Sequence, residues 1–296
     1  MKKILLLTLL CVVTINTSFS QEWLTSFELA KRLALSKNKM ILAVWEDATY
    51  DSYPVAIRDS NGKFKVVELF NNDSIKELVW DYFVPVIIQE SSYDKLAKEV
   101  VGKRSLNYEE RFNDDNLKVM DPNGFILNAS PQDYFMDQNL SFIIKNYALN
   151  TSSLNPELGI YFEDKNFSTA FRLGVKYQEA AIYANQNIKK DIINLSDIYL
   201  EEARVFFENT DLDNKDALTQ KLDLLIVKKE LLLGKPKKAR RLLKKYKDLK
   251  IHDINASLFA FLNYTTFTYL KKIDEALLWR DQVQQIDLKK VQFIVN

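Results

Sequence analysis

From residue 26 onward apolar positions recur at helical spacing. Phe27, Ala30, Leu33 and Ala34 share one face, Ser26 is an N-cap residue type, and Asn38-Lys39 ends the segment. Residues 40–45 are apolar without interruption, which predicts a buried strand. Tyr53, Val55 and Ile57 then alternate, Ser60-Asn61-Gly62 signals a turn, and 64–69 is β-rich, so a hairpin is expected over 53–69. Asp73 or Ser74 caps a helix through Ile75, Leu78, Val79 and Tyr82, and 83–88 reads as a second buried strand. Leu96, Ala97 and Val100 predict a helix over 93–101. Residues 117–127 form a hairpin with Pro122 and Gly124 in its turn, and Leu140, Ile143, Ile144 and Tyr147 predict a closing helix over 138–149. This order predicts a three-layer α/β domain with a central mixed sheet over residues 21–149.

Residues 150–158, Asn-Thr-Ser-Ser-Leu-Asn-Pro and two more, have the composition of a linker. No strand pattern follows it. Helical segments are predicted at about 167–185, 190–209, 214–233, 236–249, 254–271 and 273–287, with breaks short enough for antiparallel neighbours. Ala170, Ala203, Ala239 and Ala276 recur at separations of 33, 36 and 37 residues, which predicts an all-α antiparallel repeat domain over 159–296.

The first twenty residues change the setting. Lys2 and Lys3, an apolar run over 4–15 and the small residues Ser18 and Ser20 have the layout of a secretory signal peptide, too short to span a bilayer. The only cysteine, Cys11, lies inside that run, preceded by Leu10 rather than the small residue a lipoprotein signal requires. An exported form starting at Gln21 would have no disulfide, thiolate nucleophile or thiolate metal ligand. His252 is the only histidine, too few for a zinc site once thiols are absent; it is expected to be a surface or partly buried side chain, and six glycines leave no phosphate-cradling motif. Residues 21–150 carry 15 basic and 20 acidic side chains, and 151–296 carry 24 and 20, so the two halves are opposite in sign.

Residues 22–149 resemble the thioredoxin-like proteins of exported bacterial systems. The resemblance rests on Trp23 and the helix after it, Lys39-Met-Ile-Leu-Ala-Val-Trp45, the Asn72-Asp-Ser-Ile-Lys-Glu-Leu helix running into Phe83-Val-Pro-Val, and Val119-Met-Asp-Pro-Asn-Gly124. It implies a Cys-x-x-Cys pair near Tyr50 and Tyr53, a buried acid at Val44 and a cis-proline near Asp115; this chain has none of the three. Residues 159–296 resemble tetratricopeptide-like repeats, best in Leu231-Leu-Leu-Gly-Lys-Pro-Lys-Lys-Ala239; the next copy has Lys271 or Lys272 in place of the glycine.

Three groups of residues are candidates for chemistry or binding. Nine cations and one acid in 235–250 would suit an anionic partner, but Ala239, Leu242, Leu243, Tyr246 and Leu249 form an apolar stripe there, so a solvated helix face is expected. Glu46, Asp47 and Asp51, like Glu109-Glu110 and Asp114-Asp115, match no metal-binding loop and are expected to be solvated acids. Phe259, Phe261, Tyr264, Phe267 and Tyr269 in one helix fit either an aromatic core or a peptide groove. The expectation is therefore an exported, redox-inactive binding or scaffold protein of the periplasm or cell envelope, not an enzyme. It is expected to use no cofactor or metal, to meet protein or peptide through its helices, and to bind no nucleic acid and insert in no membrane after signal cleavage. The alternatives are a thiol-independent chaperone-like peptide binder, or an enzyme using carboxylates and tyrosines around 46–53.

Overall fold

The computed structural model describes residues 22–209 and 214–295; the expected signal segment and Cys11 lie outside the described residues. Helix α1 (Phe27–Lys37) begins where Ser26 Oγ accepts from Leu29 N at 3.3 Å and stops at Asn38, whose left-handed φ of 55° turns the chain into β1 (Met40–Trp45). A 3-10 turn over Glu46–Thr49 leads to β2 (Pro54–Arg58) and β3 (Phe64–Glu68), the expected hairpin. Helix α2 (Asp73–Tyr82) runs into β4 (Phe83–Ile88). The helix expected over 93–101 is only α3 (Tyr93–Ala97), after which Gly102 at φ 70° reverses the chain into α4 (Leu106–Asn113). Strand β5 (Lys118–Met120), α5 (Tyr134–Asp137) and α6 (Leu140–Tyr147) complete the α/β part.

Strand β1 is buried at every position because it lies between neighbours on both sides, β4 in parallel and β5 antiparallel. Single bridges from Leu24 to Val86 and from Ile126 to Met120 extend the order to Leu24, β4, β1, β5, Ile126, a small mixed sheet. The second limb of the 117–127 hairpin does not lengthen into a strand. Instead the Asn128 side chain takes the ladder positions, accepting from Val119 N at 2.8 Å and donating to Leu117 O at 2.9 Å. The β2–β3 hairpin joins no strand of this sheet and is fixed by Ala56 N to Gln138 O at 2.9 Å and Arg58 N to Ser141 Oγ at 2.8 Å.

The stretch read as a linker is built into the structure. Thr151 N donates to Asn38 O at 3.0 Å, Thr151 and Leu154 are buried, and α7 (Asn155–Glu163) begins inside it. Pro156 carries both meanings: it interrupts an element, and it also suits the first turn of a helix, the role it takes here. Beyond it come α8 (Phe167–Tyr183), α9 (Gln186–Glu208), α10 (Lys215–Leu232), α11 (Pro236–Leu243), α12 (Asp253–Tyr269), α13 (Ile273–Arg280) and α14 (Gln285–Val295). The helix expected over 236–249 gives way to a 3-10 turn at Lys244–Tyr246, where Arg240/Lys244 and Arg241/Lys245 would stack like charges at i, i+4. The one expected over 273–287 breaks after Arg280, and Val283 turns inward at the break.

The four ladder alanines are all buried. Helix α10 packs on α11 and α12, and α12 packs on α13, so the second half is a region of packed helices joined by short breaks. One apolar core runs from Trp23 to Ile294 through both parts. Gly234, at φ 69°, and Lys271, at φ 57°, stand 37 residues apart and close the turns after α10 and α12. A lysine in the left-handed region is strained by about 1 kcal/mol, whereas glycine is not. Lys271→Gly is therefore expected to raise stability to urea by roughly 0.5 kcal/mol, after subtracting the extra freedom glycine gives the unfolded chain; a loss of stability would show that the turn is not strained.

Candidate functional site

The loop after β1 holds the first group of candidates, and the structure scatters them. Tyr50 is 70% exposed, and the nearby Glu46 carboxylate pushes its hydroxyl up, away from ionisation. Tyr53 turns the other way, into the core. Its hydroxyl donates to Asp115 O at 3.1 Å and its ring meets Phe70 edge-on at 5.6 Å, with Phe70 against Trp23 at 5.1 Å. One of the two positions at which the resemblance implies a cysteine, Tyr53, is thus bonded to Asp115, near the position at which it implies a cis-proline. Burial pushes the Tyr53 hydroxyl well above its usual value, so it serves as a donor, not a base.

The neighbouring acids have structural partners. Glu46 accepts from Glu90 N at 3.3 Å, and Glu109 accepts from Gly102 N at 2.7 Å. Arg111, nearly buried, reaches Asp137 at 2.6 Å and Asp114 at 3.3 Å. Lys118 is 0% exposed in β5, and burial pushes its ammonium down to about 8 against the pull of Asp114. A lysine that titrates there could act as a base, but its side chain is fully enclosed and donates to Asn116 O at 3.1 Å. Among the described residues no group of three His, Cys, Asp or Glu side chains is placed to hold a metal ion, and no helix is long and apolar enough to cross a membrane.

The turn of the 117–127 hairpin has a role its sequence did not signal. Asp121 is fully buried, and its Oδ1 accepts from Asn123 N and Phe125 N at 3.0 Å each, which shapes the turn. Its Oδ2 accepts from Tyr177 Oη at 2.9 Å and also from the hydroxyl of Tyr199, on α8 and α9. The two rings stack at 5.5 Å, and Tyr161 meets Tyr199 edge-on at 5.0 Å while donating to Glu202. Arg104 closes the group by an ion pair with Glu202 at 2.7 Å. One carboxylate therefore joins the α/β part to the helices. A cleft of about 500 Å³ beside it, lined by Lys103, Arg104, Lys165, Glu201 and Glu202, carries charges of both signs.

The third group is where separate sequence features meet. Arg240, Lys244 and Lys247 of the basic run stand over Phe259 and Phe267 of the aromatic helix, with Tyr246 and Trp279 closing a pocket of about 340 Å³. Phe259 packs edge-on against Tyr246 at 5.9 Å and Trp279 at 5.4 Å, and the Arg240 guanidinium lies 6.0 Å from the Phe267 ring centre. Glu275 is the acid on the rim; its hydrogen bond from Lys272 holds its carboxyl below the usual range. Leu278, also on the rim, is 75% exposed. The aromatic helix is partly core, since Phe261 is buried, and partly pocket wall. The basic segment buries Ala239 and Leu243 as expected, but Leu249 is exposed.

Reading the run and the helix separately missed their meeting. The signal was in the spacing: Phe259, Asn263 and Phe267 fall at i, i+4 and i+8 on one face, and only a short break separates them from the basic run. His252 sits in that break, partly buried, with its backbone N donating to Gln220 Oε1 at 3.0 Å. Compared with protein-family models, curated proteins and solved structures, the chain matches none.

Proposed function

We propose that the protein is an exported, redox-inactive thioredoxin-like module followed by a tetratricopeptide-like array, working as a protein- or peptide-binding scaffold of the bacterial cell envelope. The carrying observation is the aromatic pocket with a cationic rim on the helical array, about 340 Å³, a size that accepts large side chains. The strand order Leu24, β4, β1, β5, Ile126, with β5 antiparallel, supports the thioredoxin-like reading. The shared turn position at Gly234 and Lys271 supports the repeat reading. After β1 the chain offers no thiol nucleophile, and Tyr53 is buried and bonded to Asp115 O, which weighs against an open chaperone-like groove at that end.

The test uses the whole chain in its own cells, with a photo-crosslinking residue at Leu278 or at Val66, which is 73% exposed on β3. Discrete protein adducts at Leu278 and none at Val66 are expected. Identical patterns at both sites, or none at either, would overturn the proposal. Mass spectrometry of the envelope fraction is expected to find the chain starting at Gln21; an intact leader on cytosolic protein would refute export.

A further inference from the structure

The lining of the aromatic pocket carries three cations, Arg240, Lys244 and Lys247, against one acid, Glu275. Of the nine cations over 235–250, Lys238 is in an ion pair, with Glu230 at 2.8 Å; Lys244 and Lys247, both exposed, have no such partner among the described residues. Glu275 faces Arg240 but is already bonded to Lys272 at 2.6 Å. Behind this rim the wall is apolar and aromatic, and Leu278 stands out beside it. A fixed cluster of like charges over an apolar recess favours an occupant with the opposite charge around an apolar group.

The shape narrows the occupant further. A bilayer offers a flat or convex apolar face and is best met by a ridge, whereas this site is concave, with aromatic edges around a space fit for one or two side chains. Resting on the reading that the helical array binds protein, we infer that this pocket takes an acidic segment of a partner protein, with an aromatic or branched aliphatic side chain seated between Phe259, Phe267 and Trp279. Carboxylates of that segment then meet Lys244, Lys247 and Arg240. Such contacts steer encounter and select partners, while the buried side chain provides most of the affinity.

The experiment uses the whole chain from Gln21 and fluorescence anisotropy of short labelled peptides in which Glu alternates with Leu and Phe. Two control peptides replace every Glu by Lys, or every Leu and Phe by Ser. The acidic apolar peptide is expected to bind at least roughly tenfold tighter than either control, and to weaken as salt rises. The double variant Lys244→Glu with Lys247→Glu, and Leu278→Ser, change only exposed side chains and are each expected to weaken it by roughly fivefold to tenfold. The same charge change at exposed Lys95 and Lys98, on or next to α3, is expected to leave it unchanged. Equal binding of the Glu and Lys peptides would overturn the acidic specificity while leaving a peptide-binding array standing. Failure of every peptide would overturn both. Binding to anionic phospholipid vesicles that is lost in the Lys244/Lys247 variant, with no peptide bound, would assign the site to a membrane surface and overturn the inference.

Discussion

Asp121→Leu is expected to lower stability by about 4 kcal/mol in urea denaturation, the largest effect of any single polar substitution in the molecule. The leucine would leave the buried Tyr177 and Tyr199 hydroxyls and the partly buried Asn123 and Phe125 amides without the carboxylate they share. An unpaired buried donor costs about 1–3 kcal/mol, and partial rearrangement of the tyrosines keeps the total below the simple sum. Asp121→Asn separates charge from hydrogen bonding. Burial pushes the Asp121 carboxyl up to about 6, even though four donors face it. A carboxyl raised in this way favours the folded state fully below its unfolded value near 4, and that advantage is lost as pH rises through about 6. The amide does not titrate, so the variant should gain on the native protein between pH 4 and pH 7, by up to about 3 kcal/mol. A stability difference independent of pH would show that the carboxylate is ionised throughout the range.

Gly174 gives the second large effect. It lies on α8 where α9 crosses closest, and a Cβ there would stand 2.7 Å from Leu200 Cγ and 3.2 Å from the Leu200 backbone nitrogen. The side chain could turn away, but the backbone can retreat only if the helices part, which would also stretch the Ser196 Oγ to Gly174 O bond of 2.6 Å. Gly174→Ala should cost about 2 kcal/mol and Gly174→Val about 4 kcal/mol. In a double-mutant cycle, Gly174→Ala with Leu200→Ala should lose at least about 1 kcal/mol less than the two single changes added together. Simple additivity would mean that the crossing is looser than these distances.

The legible parts of the chain are those where one residue's environment is set by its near neighbours. An unbroken apolar run such as Met40–Trp45 has to lie between two strands, and the helices from Phe167 to Tyr269 follow from spacing and caps. The alanine ladder was visible because small residues at a helix crossing leave a periodic mark. Asp121 shows the opposite case. Within Asp-Pro-Asn-Gly it looks like an ordinary turn residue, and only the approach of Tyr177 and Tyr199 from more than fifty residues away makes it a junction. The pocket was half legible: its cations and its aromatics were each apparent, but a run of charge and a run of rings read alike whether they face solvent or each other.

The hydrogen bonds at Thr151 and Asn155 have a consequence for how the chain comes apart. Thr151 N is held by Asn38 O, Asn155 Nδ2 donates to Leu35 O at 2.9 Å, and both contacts reach back to the first helix of the α/β part. A protease needs several residues of free, extended backbone, and this stretch offers none, so digestion of the native protein should not release two halves at residue 150. A fusion or truncation cut at the boundary drawn by composition would strip each fragment of its partner's surface.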